Sequence, residues 1–277
     1  MSLKEKAVLV SLTVSKPRLT KKDKKATVDA ELANNAHGAG RYVKDLYPKH
    51  LIDPIIQVEN EARAYMYSCT LPWNKGQHLL PCSRYMAFGE RMGQFQVAFN
   101  QSVTAFLNNY SNVLLQAEQT QGELFNASEY PDLSELKAQF GLNVRFFPVA
   151  DASDFRLKVE ADVLERLKKD AEEQIREALA ETMREPFTRL YEAVARIYTQ
   201  CSKDEGRIYD TLTDNLDQLL EVLPDLNFTG DKRLTELIDD CRSSISVHPE
   251  MLRLEKDKRK DVAAEAQRIL EKMARFM

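Results

Sequence analysis

The residues of this chain whose types and spacing could do chemistry are cations and aromatics in its first third. The cations are Lys21, Lys22, Lys24, Lys25, Arg41, Lys44, Arg63, Lys75 and Arg84. The aromatics are Tyr42, Tyr65, Trp73 and Tyr85. Ammonium and guanidinium groups hold phosphates, and flat rings stack on unpaired bases. Together they are what single-stranded nucleic acid requires. The charge distribution points the same way. Residues 1–91 hold 15 Lys and Arg against 9 Asp and Glu, in a chain of formal net charge −4. Residues 1–50 alone hold 11 against 5. Such asymmetry suggests one face for a polyanion and a remainder that stays soluble and selective. Plainer readings stand beside this one. Lysine-rich segments usually face solvent, spaced aromatics are usually core, and Trp73 is either a stacking residue or a plug between helices.

Other chemistries lack their residues. There is no Gly-x-x-x-x-Gly-Lys loop, no Gly-x-Ser-x-Gly elbow and no His-Glu-x-x-His. Gly38-x-Gly40 lacks the third glycine of a dinucleotide fingerprint and follows no strand. Cys69, Cys82, Cys201 and Cys241 have no paired spacing and the four histidines are scattered, so no metal site is expected. They read as reduced, partly buried thiols. Glu59 and Glu61 are a candidate carboxylate pair with no further ligands. Asp239-Asp240 and Glu172-Glu173 are adjacent on helices and diverge by about 100°. We expect no enzyme, no catalytic residue and no cofactor. No run of 18 apolar residues exists, and the start is Ser- and Thr-broken with no cleavage site. The chain therefore reads as intracellular, without a membrane span.

The elements that must position these side chains can be read from periodicity. Residues 6–14 alternate as a strand ending at Lys16-Pro17, and 142–149 form a second. Pairing of the two would close a small sheet. Thr20 is read as the cap of a helix over 21–35, which places Lys21, Lys22, Lys24 and Lys25 in its first turns. Cations are unfavourable there, and a bound anion would relieve them. A helix is expected over 51–68 with Pro54 in its first turn, then a loop over 70–76. A long helix follows from 82 to about 117, and a shorter one over 124–140. The strongest helix is 158–201, with a kink at Pro186; further helices cover 205–223, 230–244 and 250–276. Residues 256–260 are basic but nearly cancelled by neighbouring acids. The fold class is thus mainly α with a small antiparallel β-sheet (α+β), with a long helical or coiled-coil C-terminal part. Two domains are expected: a basic α+β domain over 1–155, and a charged helical arm over 156–277 for oligomerisation or partner contact.

Four stretches in order carry a resemblance. They are VLVSLTVS (8–15), HGAGRYVKDLYP (37–48), ARAYMYSCTLPWNKGQHLLPCSRY (62–85) and LFNASEYPDLSELKAQFGLNVRFFPV (124–149). Their order resembles a family of lytic-bacteriophage proteins, of which a Drc-like member from small-tailed phages binds single-stranded DNA as a cofactor of the phage RNA polymerase. The resemblance covers roughly residues 6–158, and Thr70-Leu-Pro-Trp73 followed by Leu79-Leu-Pro81 is its most specific part. It implies sequence-tolerant binding of single-stranded DNA, a polymerase partner, a role in phage transcription and residence in the host cytoplasm. It defines no binding motif, so the residues named above rest on charge and aromatic placement alone. Other relatives travel beside phage ATPases and von Willebrand-type adaptors. The alternative is therefore a structural or adaptor protein of a phage ATPase complex, without DNA affinity.

Overall fold

The computed structural model describes residues 3–150, 161–203 and 208–275. It is mainly α with small antiparallel sheets. Its contacts divide the chain into two compact units that interleave along the sequence. Unit 1 comprises 1–11, 66–88 and 146–277; unit 2 comprises 12–65 and 89–145. The boundary expected at 155/156 lies outside the described residues, as do the expected helix starts at 158 and 205 and the expected end at 276.

A short helix α1 (Leu3–Lys6) leads into β1 (Ala7–Ser15). The four-stranded sheet has the order β4-β5-β1-β6, with β4 (Leu71–Asn74), β5 (Gln77–Pro81) and β6 (Gly141–Phe147). The pairing of the two expected strands is thus present. In its first half β1 buries Ala7, Leu9 and Val10; adjacent residues point to opposite faces, so both faces of the strand are covered there. The expected loop over 70–76 is instead a hairpin. Lys75-Gly76 is its two-residue turn, and Gly76 supplies the positive φ of 78°. Pro72 and Asn74 hide the strand signal, yet β4 is the edge strand, where proline does least harm.

In unit 1 the C-terminal half of the chain is helical. It comprises α7 (Ala161–Thr182), α8 (Arg184–Cys201), α9 (Asp210–Leu226), α10 (Lys232–Ser244), α11 (Pro249–Leu254) and α12 (Lys256–Met273). α8 packs on α9 and α12, and α10 on the same two. The stripes Leu190, Val194, Ile197 and Leu216, Leu220, Leu223 are fully or nearly fully buried, each side chain stabilising by roughly 1.5–3 kcal/mol. The expected single helix breaks at Met183, just after Thr182, the residue whose carbonyl the Pro186 ring would strike. The helix expected to end at 223 instead runs through Pro224 to Leu226 as α9. The missing amide would have bonded to the Leu220 carbonyl, and Arg242 donates to that oxygen at 2.7 Å instead.

Unit 2 is built on α3 (Lys49–Cys69), α4 (Tyr85–Asn108), α5 (Tyr110–Gln121) and the short α6 (Leu133–Ala138). Residues 66–69 of α3 and 85–88 of α4 belong to unit 1. Helix α3 starts one turn before Pro54, which lies inside it rather than in its first turn as expected. The long helix expected over 82–117 breaks at Asn109 and continues to Gln121. Only 133–138 of the helix expected over 124–140 is α-helical; two 3-10 turns precede it. An aromatic cluster joins these elements. Tyr47 lies edge-on to Phe106 and Tyr130, at 5.6 and 5.9 Å between ring centres.

The remaining part of unit 2 carries most of the candidate residues. It runs from β2 (Thr20–Asp23) through α2 (Lys24–Ala33) to β3 (Tyr42–Asp45), with β2 and β3 antiparallel. The expected helix over 21–35 is therefore corrected: its first residues form a strand. Asp23, not Thr20, caps α2, its carboxylate accepting from the Ala26 amide at 3.0 Å.

Candidate nucleic-acid interface

The register of β2 and β3 sorts the basic residues into two faces. Lys21 stands opposite Lys44, and Lys22 opposite Val43. Two ammonium groups directly across a ladder repel one another. Glu129 removes the conflict, reaching Lys21 at 3.3 Å and Lys44 at 2.9 Å. Asp23 lies 3.6 Å from Lys44, which also donates to the Leu124 carbonyl. Lys44 is 4% exposed. Burial alone would lower its pKa, but Glu129 and Asp23 outweigh burial and hold it above its ordinary value. The Asp23 carboxyl is held below its ordinary range, first by the Ala26 amide and also by Lys44. Lys44 is therefore a structural cation and not a phosphate contact.

The other cations of this segment are open, Lys22 on the opposite face. Lys22, Lys24, Lys25 and Arg41 are exposed and have no ion pair among the described residues. Tyr42 follows Arg41, is 43% exposed and stands opposite Asp23, which places it on the Lys44 face. Its amide donates to the Thr27 hydroxyl at 2.9 Å, which ties β3 to α2. Thr27 in turn donates to the Asp23 carbonyl at 2.6 Å. The loop between α2 and β3 is held at Gly38, whose φ of 67° lets its amide reach the Glu31 carboxylate at 2.8 Å. Only Lys24 and Lys25 sit at the helix start. Asp23 already neutralises that end in part, so it makes less demand for an outside anion than four lysines would.

The other candidates are placed differently. Arg63 pairs with Glu59 at 3.0 Å, and Lys16 pairs with the same carboxylate. Burial would raise the Glu59 carboxyl, but these two cations outweigh it and hold the pKa below the ordinary value. Glu61 accepts from Gln57 at 2.9 Å, so Glu59 and Glu61 do not act as a pair. Tyr65 is half-buried against Phe95, at 5.9 Å. Trp73, Lys75, Arg84 and Tyr85 belong to unit 1. Arg84 is committed to Asp225 at 2.6 Å and to the Glu221 carbonyl at 2.7 Å. Tyr85 is 39% exposed, with Phe146 4.9 Å away. Trp73 is half-buried and packs on the unit 1 core, while Lys75 is exposed at the hairpin turn.

Two residues escaped the sequence reading. Arg18 is exposed and has no ion pair among the described residues, and charge alone could have found it in Lys16-Pro17-Arg18. Glu129 gave no signal, because its partners lie far away along the chain. Among the described residues no group of three or more His, Cys, Asp or Glu could hold a metal ion. No described helix is long and apolar enough to cross a membrane. Cys69, Cys201 and Cys241 are buried free thiols, and burial pushes Cys241 up to about 12, out of reach of thiolate chemistry. No protein-family model, characterised protein or solved structure matches the chain.

Proposed function

We propose that this chain is a non-enzymatic single-stranded DNA-binding protein of a lytic phage. In this reading it serves as a cofactor of the phage RNA polymerase in the host cytoplasm and works as a homo-oligomer. The observation that carries the DNA-binding part is the open face of β2-α2-β3. There Lys22, Lys24, Lys25 and Arg41 are exposed with no ion pair among the described residues, and the ring of Tyr42, next to Arg41 in the chain, is exposed on the other face of the β2–β3 ribbon, in a chain that is acidic as a whole. Unpaired cations retain their full attraction for phosphate, and an exposed ring offers a base a stacking partner. The polymerase partnership and phage role rest on the resemblance of residues 6–158.

Fluorescence anisotropy with a labelled single strand and its duplex tests the reading. The single strand should bind more tightly, with a slope of log K against log salt of about −3 if four phosphates are neutralised. Charge reversal at Lys22, Lys24, Lys25 and Arg41 together should remove most of that slope. Binding that survives the reversal unchanged would refute this interface. One observation favours the adaptor reading. Val28 and Leu32, four residues apart on α2, are 52% and 68% exposed, as a protein-docking helix would be. No strand binding at low salt, with an ATPase recovered in pull-down from infected cells, would decide for the adaptor.

A further inference from the structure

We propose that unit 1 carries a pocket for one unpaired nucleobase, built around Trp73, with Lys75 beside it to take the adjoining phosphate. The inference deepens the single-stranded DNA reading and rests on it for the source of the base. A cleft of about 500 Å³ opens between the β4–β5 hairpin and α7. That lies within the range of roughly 300–1,000 Å³ typical of small-ligand sites. Leu9, Val149 and Ile175 give it apolar walls, and Trp73 gives it an aromatic one. Asn74, Gln77 and Gln174 add three carboxamides. No charged side chain lines it among the described residues.

This lining selects a chemical class. A charged group would shed water there without gaining a counter-ion, so the part that enters is neutral. Carboxamides both donate and accept, which matches the edge of a purine or pyrimidine. Flipped or unpaired bases are held in this way, stacked on a ring and bonded along an edge. The nearest cation outside the cleft is informative. Lys75 is exposed, has no ion pair among the described residues and occupies the turn between the lining residues Asn74 and Gln77. A nucleotide joins a neutral ring to an anion in this arrangement.

The walls are fixed before any ligand arrives. The Thr182 hydroxyl donates to the Pro72 carbonyl at 2.9 Å, at the residue before Trp73. Arg189 donates to the carbonyls of Tyr67 and Thr70 at 2.8 and 3.0 Å. These bonds hold the strand that carries Trp73 against α7 and α8, and a preformed cleft spares the ordering cost of binding.

Trp73 is the only tryptophan, so emission from the full-length protein reports on this site alone. An oligothymidylate should quench Trp73 with the same midpoint that anisotropy of the labelled strand gives. Ala171→Phe fills the cleft from α7 and leaves the hairpin intact. It should abolish the quench and weaken the strand about tenfold, the loss of one stacked base. Should that variant misfold by circular dichroism, Gln174→Leu replaces it, with the same expected direction. A saturated strand that leaves Trp73 emission unchanged overturns the pocket, and so does a filled variant with the wild-type quench and affinity. A strand that does not bind by anisotropy defeats the DNA-binding function instead. Thymidine monophosphate at millimolar concentration then decides the pocket by itself. A quench that Ala171→Phe blocks upholds it, and no quench overturns it.

Discussion

At the scale of single residues, the two lysines Lys44 and Lys22 show how little a residue type says without its neighbours. Both lie in the basic N-terminal stretch, and both read equally well as phosphate contacts. Lys44 is buried against Glu129 and Asp23, whereas Lys22 faces solvent. Their roles should separate experimentally. Lys44→Met leaves Glu129 with a weakened set of partners in a nearly buried position, 9% exposed. It should destabilise the protein by about 3 kcal/mol, near the lower bound for breaking a buried ion pair. Urea unfolding followed by circular dichroism measures that loss. A change within error would mean that Glu129 finds water or Lys21 instead. Lys22→Ala should leave stability alone and weaken DNA.

At the scale of elements, the β4–β5 hairpin carries a pH-sensitive group. His78 on β5 lies under Tyr67, at 5.2 Å between rings, and its Nδ1 is 3.2 Å from the Thr70 hydroxyl. Burial lowers its pKa below the ordinary 6.5, Arg189 lowers it further, and Glu185 opposes them. The folded state thus resists a proton that the unfolded chain accepts below about pH 6.5. The stability this confers is fully present above that pH. It is lost progressively as pH falls from there toward the folded value. Urea unfolding monitored by Trp73, on the neighbouring strand, should show a lower midpoint at pH 5 than at pH 7.5. His78→Gln should flatten the difference. If wild type and variant share one pH profile, His78 is not its source. The same scale explains the misread loop. Strand β4 holds proline, asparagine and one apolar pair, and it becomes a strand because β5 lies beside it and the pair Lys75-Gly76 turns the chain.

At the scale of the whole molecule, the homo-oligomer proposed above would use the first half of α7. There Val163 is 38% exposed and Leu164 and Leu167 are only half-buried, whereas the stripe of α8 is covered inside unit 1. Val163→Glu with Leu167→Glu should lower the mass found by light scattering, and an unchanged assembly would remove α7 from that role. The sequence by itself determined the helical character of the C-terminal half, though not the breaks at Met183 and Glu255, the strands expected over 6–14 and 142–149 to within two residues, and the charge asymmetry between the ends. Apolar spacing and composition are local properties, carried by neighbours a few residues apart. It also displayed every residue of the open basic face. It could not say which of those cations were free. Ion pairing depends on separations of a few ångströms in space, and Glu129 and Asp225 reach Lys44 and Arg84 from far along the chain. Nor could it place Trp73 in a cleft, whose walls come from β1, the hairpin, the segment after β6 and α7. Only the tertiary structure brings such distant segments together, and it thereby decided which part of a basic sequence remains exposed.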